Sequence, residues 1–144
     1  MTTEQIIEAI KQQARAIGAC DKLVGTEDLA ALARLIMTPA GMEFCTNNRF
    51  PAGPTWRQLR QVADLTQYGI YVDAGNIELT NPDNVLIVGR TTATITCNGK
   101  GRRNINVLRD ASVIAIAYDW TVVRVKADPS CHIIKQQHGN AIII

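Results

Sequence analysis

The stretch TTATITCNGKGRRNINVLRDASVIAIAYDWTVVRV, residues 91–125, decides the fold. It is a chain of short apolar, β-branched runs (TATITC, NINVL, SVIAIA, TVVRV) separated by turn-forming residues such as NGKGRRN and YDW. Runs of this length and composition read as strands, and the separators are too short to hold helices. The pattern continues outward on both sides. NIELT and NVLIV, separated by the turn-former NPDN, precede it, and HIIK and AIII follow it after ADPS. From Tyr68 onward the chain therefore reads as all-β.

Two all-β architectures fit such a string: an antiparallel sandwich built from hairpins, and a parallel β-solenoid whose coils stack on one another. Spacing separates them, because a solenoid holds one step while each hairpin loop sets its own length. Ile77, Ile95, Ile114 and Ile133 recur at separations of 18, 19 and 19, and Ile87, Val107, Val125 and Ile144 at 20, 18 and 19. This near-constant step predicts a short right-handed parallel solenoid over residues 68–144. It places Ile95, Ile114 and Ile133 in register as inward-facing rungs, with Ile114 central. Stacking at about 4.8 Å per coil makes such a body only some 17 Å tall.

Residues 1–67 follow the other period. In TTEQIIEAIKQQARAIG, Thr2 and Gln5 have capping-box spacing, Ile6, Ile10, Ala14 and Ile17 share a face, and Gly18 suits a left-handed C-terminal cap. A second helix is expected over GTEDLAALARLIM, with Thr26 as N-cap, Glu27 and Asp28 at the positive dipole end, and Leu29, Leu32, Ala33 and Ile36 as its stripe. Pro39 either ends that helix or, after Thr38, opens a third. TWRQLRQVADLTQ reads as a further helix capped by Thr55, with Trp56 as an anchor. The fold class is thus α+β: a helical head, 1–67, capping a β-solenoid, 68–144.

A length of 144 residues, 47% hydrophobic and 19% charged, describes a globular chain. Net charge is +2, with seven basic and seven acidic groups in residues 1–68 and eight against six thereafter, so the excess lies in the β half. No apolar run reaches the ~18 residues of a membrane span, and the amphipathic N-terminus lacks the apolar core of a signal peptide. No membrane partner is expected. Cys20, Cys45, Cys97 and Cys131 are scattered without a CxxC pair and read as free buried thiols of a reducing compartment.

Few residues suggest chemistry. Lys100, Arg102 and Arg103 within GKGRRN form a candidate anion-binding loop. No aromatic interleaves these cations in sequence, which argues against a nucleic-acid partner. Cys131, His132 and His138 lack metal-ligand spacing, and neighbours on a strand point to opposite faces, so no metal or other cofactor is expected. Nothing sets a base and an orienting acid beside Cys45 or Cys131, and the six-residue repeat of the hexapeptide acyltransferases is missing, so the reading is non-enzymatic. Trp120, in YDWT, is a candidate contact residue if its ring is exposed rather than folded over the coil edge.

The tail HGNAIII raises the remaining expectation. With Ile142 and Ile144 inside the final coil and Ile143 outside, the open face of that coil calls for cover, from another chain or, as the alternative, from the helical head folding back over it. Ile142, Ile143, Ile144 and Trp120 are therefore the candidate partner-binding residues.

PAGMEFCTNNRFP, WRQLRQ and YGIYVDAGNIEL together resemble short uncharacterised proteins of gut bacteria and their prophages, which pair a helical head with a repetitive β tail. The resemblance covers most of the chain and brings no catalytic motif. It implies a phage or mobile-element product, made in the bacterial cytoplasm and destined for a virion or related assembly. The function expected is a self-associating structural or attachment protein, forming homo-oligomers or joining other assembly proteins. The alternative is a module that binds an anionic partner through Lys100, Arg102 and Arg103.

Overall fold

The computed structural model describes residues 2–18 and 28–144, and its chain divides into two compact units, 1–68 and 69–144. The first is helical. Helix α1 (Thr3–Ala16) opens on the full capping box between Thr2 and Gln5, and Gly18 follows it at φ +79°. Ile6, Ile7, Ile10 and Ala14 are buried, whereas Ile17, expected on the same face, lies past the helix end and is largely exposed. Helix α2 (Leu29–Ile36) is capped by Asp28, whose carboxylate accepts the Ala31 N–H; the expected cap Thr26, with Glu27 and Cys20, lies outside the described residues. Thr38 caps helix α3 (Pro39–Asn48), with Pro39 in its first turn, so the proline starts a helix rather than only ending one.

Helix α4 (Gly53–Val62) departs from expectation. It starts before Thr55, because Pro54 supplies the fixed φ of a first turn, and its N-cap Ala52 has no side chain able to accept a hydrogen bond. The helix start is held instead by Gln13 of α1, which binds the N-cap backbone and a first-turn side chain. Its Oε1 accepts the Ala52 N–H (3.0 Å), and its Nε2 donates to Thr55 Oγ1 (2.9 Å). Thr55 is thus buried as a bridge between α1 and α4, and Trp56 beside it is buried as well.

The second unit is the parallel solenoid. Strands alternate between two sheets: β1 (Ile70–Val72), β3 (Asn84–Val88), β5 (Lys100–Leu108), β7 (Trp120–Ala127) and β9 (Ile142–Ile143) form one, and β2 (Gly75–Thr80), β4 (Thr91–Cys97), β6 (Ser112–Ala117) and β8 (His132–Gln137) the other. Every strand pairing is parallel, which excludes the antiparallel sandwich. Each coil contributes one strand to each sheet, and β9 begins another coil. Between the sheets lies a core that includes Val85, Ile87, Ile95, Ile105, Val107 and Val113.

The register differs from the expected ladder. Ile95 pairs with Ala115, Ile114 with Thr94 and Ile134, and Ile133 with Val113. The step is sixteen in the first coil, Ile70 to Leu86 and Ile77 to Ala93, and twenty afterwards, Ile87 to Val107 and Ile95 to Ala115. A nineteen-residue step therefore slips by one, and a one-residue slip exchanges the two faces of a strand. Ile114 consequently points outward and is half-buried, while Val113, Ala115 and Ala117 form the inward row.

The turns are tied between coils by side chains. Asn81 and Asn98 exchange two hydrogen bonds: Asn81 Nδ2 donates to Asn98 Oδ1 (2.9 Å), and the Asn98 N–H to Asn81 Oδ1 (2.8 Å). Asp128, almost fully buried, accepts the N–H groups of Arg109 and Ser130, each at 2.8 Å. These bonds satisfy backbone donors at corners where no ladder reaches them.

Candidate interaction face

GKGRRN is mostly strand rather than loop. The turn is confined to the residues before Lys100, and β5 runs from Lys100 onward, paired in parallel with β7. This pairing sets Lys100 beside Trp120 and Arg102 beside Val122. Along β7, Thr121 and Val123 are buried, so Trp120, Val122 and Arg124 point the other way, onto the outward face of the sheet. Val122 pairs next with Ile142. The Ile144 N–H donates to the Val123 carbonyl (2.8 Å), and the Val125 N–H to the Ile144 carbonyl (3.0 Å), which seats Ile144 beside Arg124.

One face of β5, β7 and β9 thus presents Lys100, Arg102 and Arg124 interleaved with Trp120, Val122, Ile142 and Ile144. Trp120 is 61% exposed, Ile142 51% and Ile144 63%, so three large apolar side chains stand in solvent among the cations. The ring of Trp120 is open, not folded over the coil edge. Adjacent strands lie about 4.8 Å apart and like-facing residues about 6.6 Å apart along a strand, so neighbouring members of this set lie within one side-chain length. Tyr118 and His138, in the adjoining turns, stack at 4.7 Å between ring centroids and 14° between planes. Asp119, between Tyr118 and Trp120, accepts the Gly99 N–H through its carboxylate (3.4 Å).

Two sequence expectations are corrected here. Arg103 does not belong with Lys100 and Arg102. It occupies the register position of Val123, an inward one, and its guanidinium turns to the previous coil, donating to the Asn81 carbonyl (3.1 Å) and pairing with Asp83. Its charge is paired with the exposed carboxylate of Asp83 and is not offered to the face of Lys100 and Arg102. The tail is also inverted: Ile143 is the inward residue, 7% exposed and part of the core, while Ile142 and Ile144 face out. The tail is inverted because the step is twenty rather than nineteen, and Arg103 is separated from its neighbours because GKGRRN is strand, along which successive side chains alternate.

The outermost coil carries a feature that composition concealed. The inward row Val113, Ala115, Ala117 on β6 is continued on β8 by Ile133, Lys135 and Gln137, so polar side chains replace apolar ones. Gln137 Oε1 accepts the Ile143 N–H (2.9 Å). A charged residue at an inward position and a side chain occupying an edge N–H both discourage the addition of another strand. The chemistry expected to cover this end is supplied in part by the coil itself.

The thiols are placed for packing. Cys45 and Cys97 are buried and Cys131 half-buried, all three free. Burial pushes the Cys45 thiol up to about 12. Burial also raises Cys97, with Arg103 opposing, and raises Cys131, with Asp128 adding to it. Thiols held neutral in this way are poor nucleophiles. His132, on β8, faces outward and is exposed, and among the described residues no group of three His, Cys, Asp or Glu side chains converges as a metal site.

No family model, curated protein or solved structure matches the chain.

Proposed function

We propose that the chain is a non-enzymatic structural or attachment protein that works by contact with other protein chains, further copies of itself or neighbouring components of an assembly. The observation that carries this reading is the exposure of Trp120, Ile142 and Ile144 together on one sheet face. Scattered surface isoleucines are ordinary, but three large apolar side chains on one rigid patch, one of them tryptophan, have the composition of a contact centre. Parallel coils supply the rigidity, since each strand is held by its neighbours in the stack. The setting, a phage particle or related assembly, follows from the resemblance carried by PAGMEFCTNNRFP, WRQLRQ and YGIYVDAGNIEL.

Sedimentation of the wild type against the combined variant Trp120→Ser, Ile142→Ser, Ile144→Ser tests self-association. A mass that rises with concentration and is lowered by the variant is the expected result. A wild type that stays monomeric at every concentration removes self-association. It leaves the second reading, an anionic partner. That reading is favoured by Lys100 and Arg102 standing on the same face as Trp120. Steep weakening with salt is its mark.

A further inference from the structure

We infer that the outward face of β5, β7 and β9 takes an acidic amphipathic protein segment, one in which carboxylates alternate with apolar side chains. This rests on the reading of that face as a protein contact surface and adds the chemistry of the partner. Each exposed cation of the face has an apolar neighbour in the register: Lys100 beside Trp120, Arg102 beside Val122 and then Ile142, and Arg124 beside Ile144. The ion pairs described, Arg15 with Glu8 and Arg103 with Asp83, use none of these three cations. The carboxylate nearest to them in the register, Asp119, is engaged in the turn by the Gly99 N–H. The patch therefore offers positive charge and apolar area in alternation, with little negative charge of its own.

Complementarity narrows the occupant. A second copy related by a two-fold axis sets one three-cation patch against another, so like charges oppose self-association through this face, and a partner that brings carboxylates fits it better. A single-stranded nucleic acid satisfies the cations and stacks on Trp120, but gives Ile142 and Ile144 nothing to bury against. An extended or helical segment with acidic and apolar residues in alternation meets both requirements at once. Its carboxylates reach the guanidinium groups, and its apolar side chains cover the isoleucines and the indole.

A synthetic peptide alternating glutamate and leucine is the probe, titrated by tryptophan emission. Trp56 is buried, so Trp120 is the ring that reports occupation of the face. The expected result is saturable binding that weakens steeply with salt. It should also be about tenfold weaker for a glutamate–serine peptide of equal length, and weaker by about tenfold or more for Arg102→Glu with Arg124→Glu. Ile142→Ser with Ile144→Ser should weaken it as well while leaving the circular dichroism unchanged, since both side chains are already in water. Tighter binding of oligothymidylate, or of phosphatidylserine vesicles, than of the peptide overturns the inference. So does peptide binding that ignores both variants. If the peptide fails to bind while the serine variants still reduce self-association, the acidic partner is refuted and the contact face stands. If the variants change neither measurement, both fall.

Discussion

At the scale of single residues, the face of a strand matters more than its apolarity. Ile95 and Ile114 are the same amino acid on neighbouring strands, yet Ile95 is fully buried and Ile114 is not. Ile95→Ala should cost about 2–5 kcal/mol, as truncation inside a closed core does, whereas Ile114→Ala should cost less than about 1 kcal/mol. Urea midpoints of the two variants decide it, and equal losses would contradict the register. The sequence signalled strands and a common step but not the step's last unit, because apolar residues lie on both sides of β6. Val113, Ala115 and Ala117 line the core while Ile114 and Ile116 sit outside, so the larger side chains misdirect any choice made by hydrophobicity. Cys45 carries a prediction of another kind. Its thiol is protonated up to about pH 12 when folded and only to about 9 when unfolded. Between these limits the unfolded chain holds fewer protons, so stability falls as pH rises, by at most about 1.4 kcal/mol per unit from this group. Denaturation at pH 8 and pH 10.5 should show the loss, and Cys45→Ala should be less stable at pH 8 yet show a shallower decline.

At the scale of elements, helix ends were legible where a cap is local and illegible where it comes from afar. Thr2 with Gln5, and Thr38 ahead of Pro39, lie within a turn of the donors they satisfy, so spacing alone reveals them. Helix α4 has no side-chain cap of its own; its N-cap backbone is held by Gln13, thirty-nine positions from Ala52, and no local rule reaches it. Replacing Gln13 by alanine removes both the acceptor for the Ala52 N–H and the donor to buried Thr55 Oγ1. It should destabilise the helical unit by roughly 1–3 kcal/mol, more than an exposed glutamine costs. Thermal melts followed at 222 nm measure this, and Gln13→Glu should recover only the part owed to the acceptor. The same distinction explains Arg103. In sequence it is one of three clustered cations. Only the parallel pairing shows that alternation sends it inward while Lys100 and Arg102 remain on the outer face. The candidate site was legible as residue types, and its membership had to wait for the register.

At the scale of the whole molecule, a stack of coils is a one-dimensional object, and its stability should vary along its axis. Strands β4 and β6 have a neighbour on each side and inward rows of buried residues. Strand β8 lies at the edge of its sheet, with Lys135 and Gln137 exposed where β6 has Ala115 and Ala117. It therefore gives up apolar burial that β4 and β6 enjoy, and it has ladder partners on one side only. Hydrogen exchange should find the amides of β4 and β6 slowest and those of β8 and β9 faster by at least about tenfold, which corresponds to about 1.4 kcal/mol in opening free energy. Within that outer coil, the Ile143 amide is an exception, because Gln137 Oε1 holds it on the side away from β7. Gln137→Ala should accelerate exchange at Ile143 while leaving the Ile144 amide, bonded to the Val123 carbonyl, nearly unchanged. Uniform protection from β2 to β9 would show instead that the outer coil is as tightly held as the middle. The polar inward row would then owe nothing to its place at the edge.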